Sequence, residues 1–162
     1  MKQTAAPEGC ERKSIMSFTK LIYHIIFRTK CSVPAISEKY ETELYAYILG
    51  YIRNKGYFLY RIGGMPDHIH MLVSIPPAIS LSEFVRDIKA CTSKMLRNNP
   101  KFPMFQGWNS GYATFTYSPN EKDMIVHYIK NHKAHHKSRT FVDEYKEYAQ
   151  SLGIENINAP TE

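Results

Sequence analysis

Two histidines, His68 and His70, flank a single isoleucine in the segment PDHIHMLVSI, which runs from Pro66 to Ile75. Apolar residues alternate along this segment, so we predict a strand whose successive side chains point to opposite faces. The two imidazoles then project from one face, close enough to bind one metal ion. Two ligands do not complete a site, and the same pattern is typical of strand histidines that only bond to their neighbours.

A second group of reactive side chains lies near the C-terminus, where Tyr128 and His132 are four residues apart. On a helix this spacing places both on one face, and His135 and His136 continue that face for another turn. A phenol and an imidazole so arranged can meet one substrate atom and one metal together. The alternative is a core aromatic residue beside a solvated basic face.

The charge distribution favours an anionic partner. The chain has 21 Lys and Arg against 15 Asp and Glu, a net charge of +6. The segment HYIKNHKAHHKSR, from His127 to Arg139, contains four Lys or Arg, four of the seven His and no acid. A helix this rich in basic residues is typical of a surface that binds nucleic acid.

Strand patterns of period two alternate with amphipathic helix patterns in the order β-α-β-β-α-β, followed by two more helices. The first predicted elements are a strand from Phe18 to Lys30 and a helix that is capped by Ser37 and closed by Asn54 to Gly56. Next come a strand from Tyr57 to Ile62, a turn at Gly63-Gly64, a strand from His68 to Ile75, and a helix that is capped by Ser80 and Glu83 and stops before Pro100. The last are a strand within Gly107 to Tyr117, a helix from the Ser118 to Glu121 cap towards His136, and a short helix from Thr140 and Asp143 to about Gly153.

This order is the α+β plan called ferredoxin-like or RRM-like, in which one antiparallel sheet carries two helices on one face. The additional helix that carries Tyr128 must then cover the other face, from which His68 and His70 project. We predict a single domain over residues 16–153 and a loose tail over 154–162. Residues 1–15 are predicted to be a flexible leader, or an extension upstream of a natural start at Met16.

Three stretches of the chain resemble single-tyrosine transposases of the IS200/IS605 type, which belong to the HUH endonuclease superfamily. They are SFTKLIYHIIFRTK from Ser17 to Lys30, MPDHIHMLVSIPP from Met65 to Pro77, and YIKNHKAHHKSRTFVDEY from Tyr128 to Tyr145. The resemblance spans nearly the whole predicted domain.

The resemblance implies a role for each reactive side chain. His68 and His70 would bind a divalent metal, Mg²⁺ or Mn²⁺, and Tyr128 would be the nucleophile. The third ligand of the family lies four residues after the tyrosine and is commonly glutamine, whereas this chain has His132 there, with His136 as the next possibility. A bound cation would help a phenol of pKa near 10 to attack a phosphate.

The resemblance also implies the substrate and the assembly. The enzyme would cut single-stranded or hairpin DNA, form a 5'-phosphotyrosine and rejoin strands without ATP. It would act in the cytoplasm as a homodimer whose sheets pair edge to edge, with the tyrosine of either subunit completing the site. Basic side chains would hold the DNA strand; the residues that we select are Arg28, Lys30, Lys89, Lys94, Lys130 and Lys133.

Two other functions remain open from the sequence. One is a ferredoxin-like module that binds RNA or DNA without cutting it. The other is a metal hydrolase that uses a bound water and forms no covalent intermediate.

A membrane partner is excluded, because no apolar stretch approaches the roughly 20 residues of a spanning helix. The three cysteines form no C-x-x-C pair and suit a reducing compartment.

Overall fold

The computed structural model describes residues 18–135, 141–151 and 153. Over these residues the chain forms one antiparallel sheet of four strands in the spatial order β2-β3-β1-β4, so the predicted ferredoxin-like plan is confirmed. The strands are β1 Ile22–Arg28, β2 Phe58–Met65, β3 His68–Ser74 and β4 Ala113–Tyr117, and the helices are α1 Glu41–Asn54, α2 Leu81–Arg97, α3 Lys122–His135 and α4 Phe141–Ser151.

The two faces of the sheet are covered by different helices. The larger core lies between one face and helices α1 and α2, where side chains at alternate strand positions such as Ile25 and Met71 meet Ile48 and Ile88. The opposite face is covered by α3, which buries a smaller cluster of Ile22, Leu72, Ile125 and Ile129. Helix α3 thus packs against the face of the sheet that α1 and α2 leave free. None of the described helices is long and apolar enough to cross a membrane.

The predicted turn at Gly63-Gly64 is wrong, because both glycines lie inside β2 and the chain reverses at Pro66-Asp67. These glycines allow close packing instead of a bend. A Cβ atom on Gly63 would lie 3.1 Å from the Ile129 side chain of α3, and one on Gly64 would lie 2.2 Å from the carbonyl oxygen of His68. Glycine is thus required where the helix and the neighbouring strand approach β2.

The helix starts agree only in part with the prediction. Ser37 does not cap α1, because its carbonyl accepts a turn bond from the Tyr40 N–H and the helix begins at Glu41 without a side-chain cap. Ser80 does cap α2, since its hydroxyl accepts from the N–H of Glu83 at 3.2 Å.

The link from β4 to α3 is short and closed by hydrogen bonds. The Glu121 carboxylate accepts from both the backbone N–H and the hydroxyl of Ser118, each at 2.8 Å, as the capping pattern predicts. The first and last predicted strands are shorter than expected. The leader, Thr140 and the C-terminal tail lie outside the described residues.

Candidate metal centre

Three histidines, two from β3 and one from α3, lie close together between these two elements. Residues His68 and His70 lie on β3 two positions apart, and His132 faces them from the third turn of α3. One nitrogen of each ring lies within 4.8 Å of those of the other two, and every ring is at most 1% exposed. Three neutral imidazoles at this separation form a donor set that binds divalent transition metals. The residues present therefore fit a metal ion.

The strand and helix periods explain why these rings converge. Ring centroids are 5.2 Å apart between His68 and His70, and 4.1 Å apart between His70 and His132. Gly63 lets α3 approach the sheet closely, which brings the helix within reach of the strand histidines. The other possible ligand, His136, lies outside the described residues.

Two further side chains orient the strand histidines. The Nδ1 atom of His68 lies 2.8 Å from the Asp67 carboxylate, a contact that places the lone pair of His68 on Nε2. The Nδ1 atom of His70 lies 2.9 Å from Nε2 of His24 on β1. Such outer hydrogen bonds fix the tautomer and the orientation of metal-binding imidazoles.

His24 is a residue that sequence reasoning missed. It is fully buried, and burial lowers its pKa to about 3, so its ring is neutral at neutral pH and can accept a hydrogen bond. The alternation along β1 places His24 on the correct face of the sheet. Its partner depends on the register of β1 against β3, in which His24 lies opposite Leu72, two residues along β3 from His70. No local pattern reveals that register.

Tyr128 lies at the edge of the histidine cluster in the same chain. Its ring centroid is 5.7 Å from that of His132 and 6.1 Å from that of His70. The side chain is half-buried and also packs against the apolar cluster under α3. The Tyr128 side chain thus packs against the small core and also lies beside the rings of His70 and His132.

The side chains of His68, His70, Tyr128 and His132 lie in a part of the chain that matches a known protein family. The sequence model of the family described as "Transposase IS200 like" matches residues 17–132, which include β1, β3 and most of α3. The chain belongs to the IS200-like transposase family. The match contains His68, His70, Tyr128 and His132, so the resemblance inferred from the sequence is confirmed.

One curated relative of the chain agrees with the family assignment. The ISDra2 transposase TnpA of Deinococcus radiodurans is 33% identical over 72 residues, 41% of this chain and 51% of that protein. The chain therefore spans about half the length of the curated relative that it matches.

Two solved structures share the fold of this chain. A crystal structure of a candidate transposase from Deinococcus radiodurans has a TM-score of 0.55 at 24% identity, over 74% of this chain and 96% of that one. A REP-associated tyrosine transposase bound to a REP hairpin has a TM-score of 0.57 at 13% identity, over 91% and 93%.

The basic residues selected from the sequence fall into two groups in the structure. Lys30, Lys94 and Lys130 are exposed. The other three make contacts within the chain: Arg28 is only 8% exposed and lies opposite His68 in the sheet, Lys133 forms an ion pair with Glu41, and Lys89 donates to the backbone carbonyls of residues 109–111.

Proposed function

We propose that the chain cleaves and rejoins single-stranded DNA through a covalent 5'-phosphotyrosine at Tyr128, with a divalent metal ion held by His68, His70 and His132. The observation that carries this proposal is the position of the Tyr128 ring, 5.7 Å from the His132 ring and 6.1 Å from the His70 ring. A phenol beside three imidazoles is a suitable arrangement for attack on a phosphate. A module that only binds nucleic acid has no need of it.

The metal would supply charge stabilisation and polarisation of the scissile phosphate. The chain itself supplies the attacking oxygen. The Tyr128 hydroxyl loses its proton as its oxygen attacks phosphorus, and the bond from phosphorus to the 3'-oxygen breaks. The 3'-oxygen takes up a proton and becomes a free 3'-hydroxyl, so the transfer consumes no net proton. One phosphodiester is exchanged for another, so the reverse attack by a 3'-hydroxyl rejoins a strand without an external energy source.

The choice of ion follows from the donors. Both Mg²⁺ and Mn²⁺ suit the family, but Mg²⁺ strongly prefers oxygen ligands, whereas Mn²⁺, as a first-row transition metal, accepts imidazole more readily than Mg²⁺ does. With histidine at position 132 in place of the usual glutamine, all three protein donors are nitrogens. We therefore place Mn²⁺ ahead of Mg²⁺ for this chain.

The proposed substrate is single-stranded or hairpin DNA, and the proposed assembly is a homodimer acting in the cytoplasm. A solved relative with the same fold is bound to a REP hairpin, which supports a hairpin substrate. The exposed side chains of Lys30, Lys94 and Lys130 would contact phosphates, in agreement with the net charge of +6.

The test is formation of a covalent adduct. Labelled single-stranded DNA from both sides of the gene is incubated with the protein and Mn²⁺, then separated under denaturing conditions. We expect an adduct with the natural sequence and none with Tyr128→Phe, which lacks only the nucleophilic oxygen. Tyr117→Phe is the matched control, because Tyr117 packs against the same apolar cluster, and it should retain the adduct.

Other results would identify the other functions. DNA binding without an adduct under any metal condition would favour a non-catalytic binding module. Cleaved ends without a covalent intermediate would favour a metal hydrolase. Peptide mapping that located the DNA on a tyrosine other than Tyr128 would disprove the assigned nucleophile and leave the metal centre standing.

A further inference from the structure

A cavity of about 660 Å³ lies away from the histidine cluster, on the α2 side of the molecule. Its walls come from the turn after β1, the outer side of α2 and the loop that leads to β4. The volume is within the range of sites that bind small organic groups. None of the metal-binding histidines lines it, so it is a separate feature of the surface.

The lining of this cavity is basic. Lys30, Lys89 and Arg97 contribute to its walls, and no acidic residue is among the lining residues. Lys30 is exposed, whereas Lys89 is half-buried. Three cations around one concave surface favour an anionic group such as a phosphate.

Two of these cations also hold the walls in place. The Lys89 ammonium donates to the carbonyl oxygens of Asn109, Ser110 and Gly111 at 2.9, 3.2 and 2.7 Å. The Arg97 guanidinium donates to the Gln106 carbonyl at 3.1 Å. The loop is thereby fixed before any ligand arrives, which lowers the entropic cost of binding.

The cavity also contains a fixed aromatic ring. The indole N–H of Trp108 donates to the Thr92 hydroxyl at 2.9 Å, and the ring packs edge-on against Phe27 and Phe105 at centroid distances of 4.8 and 5.1 Å. Trp108 remains half-buried and lines the cavity. An immobilised aromatic beside cations is the combination that binds unpaired nucleotides, since the base stacks and the phosphate meets the positive charge.

Strand β1 connects the cavity to the metal centre. Arg28 lies opposite His68 in the sheet, and the next residue, Thr29, forms a β-bridge with Trp108. Two consecutive residues therefore contact the two sites. The cavity and the histidine cluster thus lie at the same end of the sheet.

We propose that this cavity binds one unpaired nucleotide of the DNA strand, with its base against Trp108 and its phosphate near Lys30. The inference rests on the proposed function, because it takes single-stranded DNA as the substrate. It assigns the cavity to a nucleotide flanking the cleavage site, outside the metal centre itself.

The chain provides its own reporter for this site, because Trp108 is its single tryptophan. The metal-loaded protein is titrated with a short oligothymidylate, with thymidine monophosphate and with inorganic phosphate, and indole fluorescence is followed. We expect saturable quenching by the oligothymidylate, weaker quenching by the mononucleotide and little response to phosphate. A full response to phosphate alone, with no more from the oligonucleotide, would show an anion site and overturn the proposal.

Two variants test the cavity in different ways. Ser93→Phe fills it from α2, and Lys30→Glu reverses an exposed charge at its rim. Each should weaken oligothymidylate binding about tenfold, as expected for loss of one stacked base or one phosphate contact. Lys55→Glu makes the same charge change after α1, away from the cavity, and should have a smaller effect. Equal affinities of Lys30→Glu and Lys55→Glu, with unchanged affinity of Ser93→Phe, would overturn the proposal.

The adduct assay separates this inference from the proposed function. If DNA binds by anisotropy and forms the Tyr128 adduct while indole fluorescence stays constant, the strand bypasses the cavity and only this inference fails. If fluorescence responds as expected and no adduct forms, the nucleotide site stands and the catalytic proposal fails.

Discussion

His24 shows that a candidate metal site also depends on residues that would not bind the metal themselves. The ring is fully buried on β1 and contacts His70 through nitrogen atoms 2.9 Å apart. Because the His24 ring is neutral, its Nε2 can accept a hydrogen bond from the Nδ1–H of His70, which leaves the lone pair of the His70 ring on Nε2. His24 is thus a positioning residue for the proposed metal site.

This role predicts a graded response to substitution. His24→Phe removes the acceptor and should weaken Mn²⁺ binding about 10- to 100-fold, the usual effect of losing an outer hydrogen bond to a metal ligand. His24→Gln offers a carbonyl oxygen and should recover part of the affinity. Isothermal titration calorimetry measures both, and thermal unfolding checks that the variants fold. Equal Mn²⁺ affinity in both variants and the parent would show that His24 only fills space.

A second prediction concerns His132. Replacing its imidazole by the amide of His132→Gln exchanges a nitrogen donor for an oxygen donor, so the preference for Mn²⁺ over Mg²⁺ should fall. Competition between the two ions in binding and in adduct formation measures the change. An unaltered preference would exclude His132 from the coordination sphere.

The sequence revealed those side chains whose positions depend on local periodicity. His68 and His70 share a strand face and Tyr128 and His132 share a helix face, and both relations follow from spacing alone. The contact between His24 and His70 joins residues 46 positions apart. It depends on strand register, which one sequence does not encode locally.

At the level of elements, glycine was the residue most easily misinterpreted. A Gly-Gly pair is typical of a turn, yet Gly63 and Gly64 sit inside β2 because α3 and β3 approach the backbone there. A rule based on neighbouring residues in the sequence treats glycine as a source of flexibility. It takes no account of the space that a neighbouring element occupies in the fold. The shift of the turn to Pro66-Asp67 leaves the histidine strand itself as predicted.

Alanine substitution distinguishes a glycine that makes room for a neighbouring strand from a glycine that lies in open space. Gly64→Ala places a methyl group 2.2 Å from the His68 carbonyl oxygen, and the strand must move, so we expect a loss of about 1–3 kcal/mol in the free energy of unfolding. Metal affinity should fall with it, because His68 moves.

The matched control lies in α1, where a Cβ atom on Gly50 meets nothing within 4 Å. Gly50→Ala should therefore raise the free energy of unfolding by about 0.5–1 kcal/mol. Urea denaturation gives both values. A Gly64→Ala protein as stable as the parent would contradict the close approach of β3.

At the scale of the whole molecule, the net charge counted from the sequence does not show which lysine and arginine side chains are available to DNA. Lys130 and Lys133 are three residues apart on α3, but Lys130 is exposed while the Lys133 ammonium lies 2.7 Å from both carboxylate oxygens of Glu41. Glu41 begins α1, on the other side of the sheet, so Lys133 bridges the two layers. Such a bridge depends on the tertiary fold, and helical spacing does not predict it.

The two lysines should differ in the salt dependence of DNA binding. Lys130→Ala should reduce the slope of log affinity against log salt by about 0.7, the value for one phosphate of a single strand. Lys133→Ala should change it less, because the charge of Lys133 is already neutralised by Glu41. Anisotropy titrations from low to moderate salt measure the slopes. The reverse order would place the DNA against the paired lysine.

The short capped link between β4 and α3 restricts how subunits can share their parts. Residues 118–121 separate the two elements, and even fully extended they let the helix start lie at most about 18 Å from the strand end. Extension would also break the bonds from Ser118 to Glu121. Exchange of α3 between the protomers of the proposed homodimer is therefore opposed, and we predict that each chain supplies Tyr128, His68 and His70 to its own site. Mixing Tyr128→Phe chains with His68→Ala/His70→Ala chains should accordingly restore no strand cleavage.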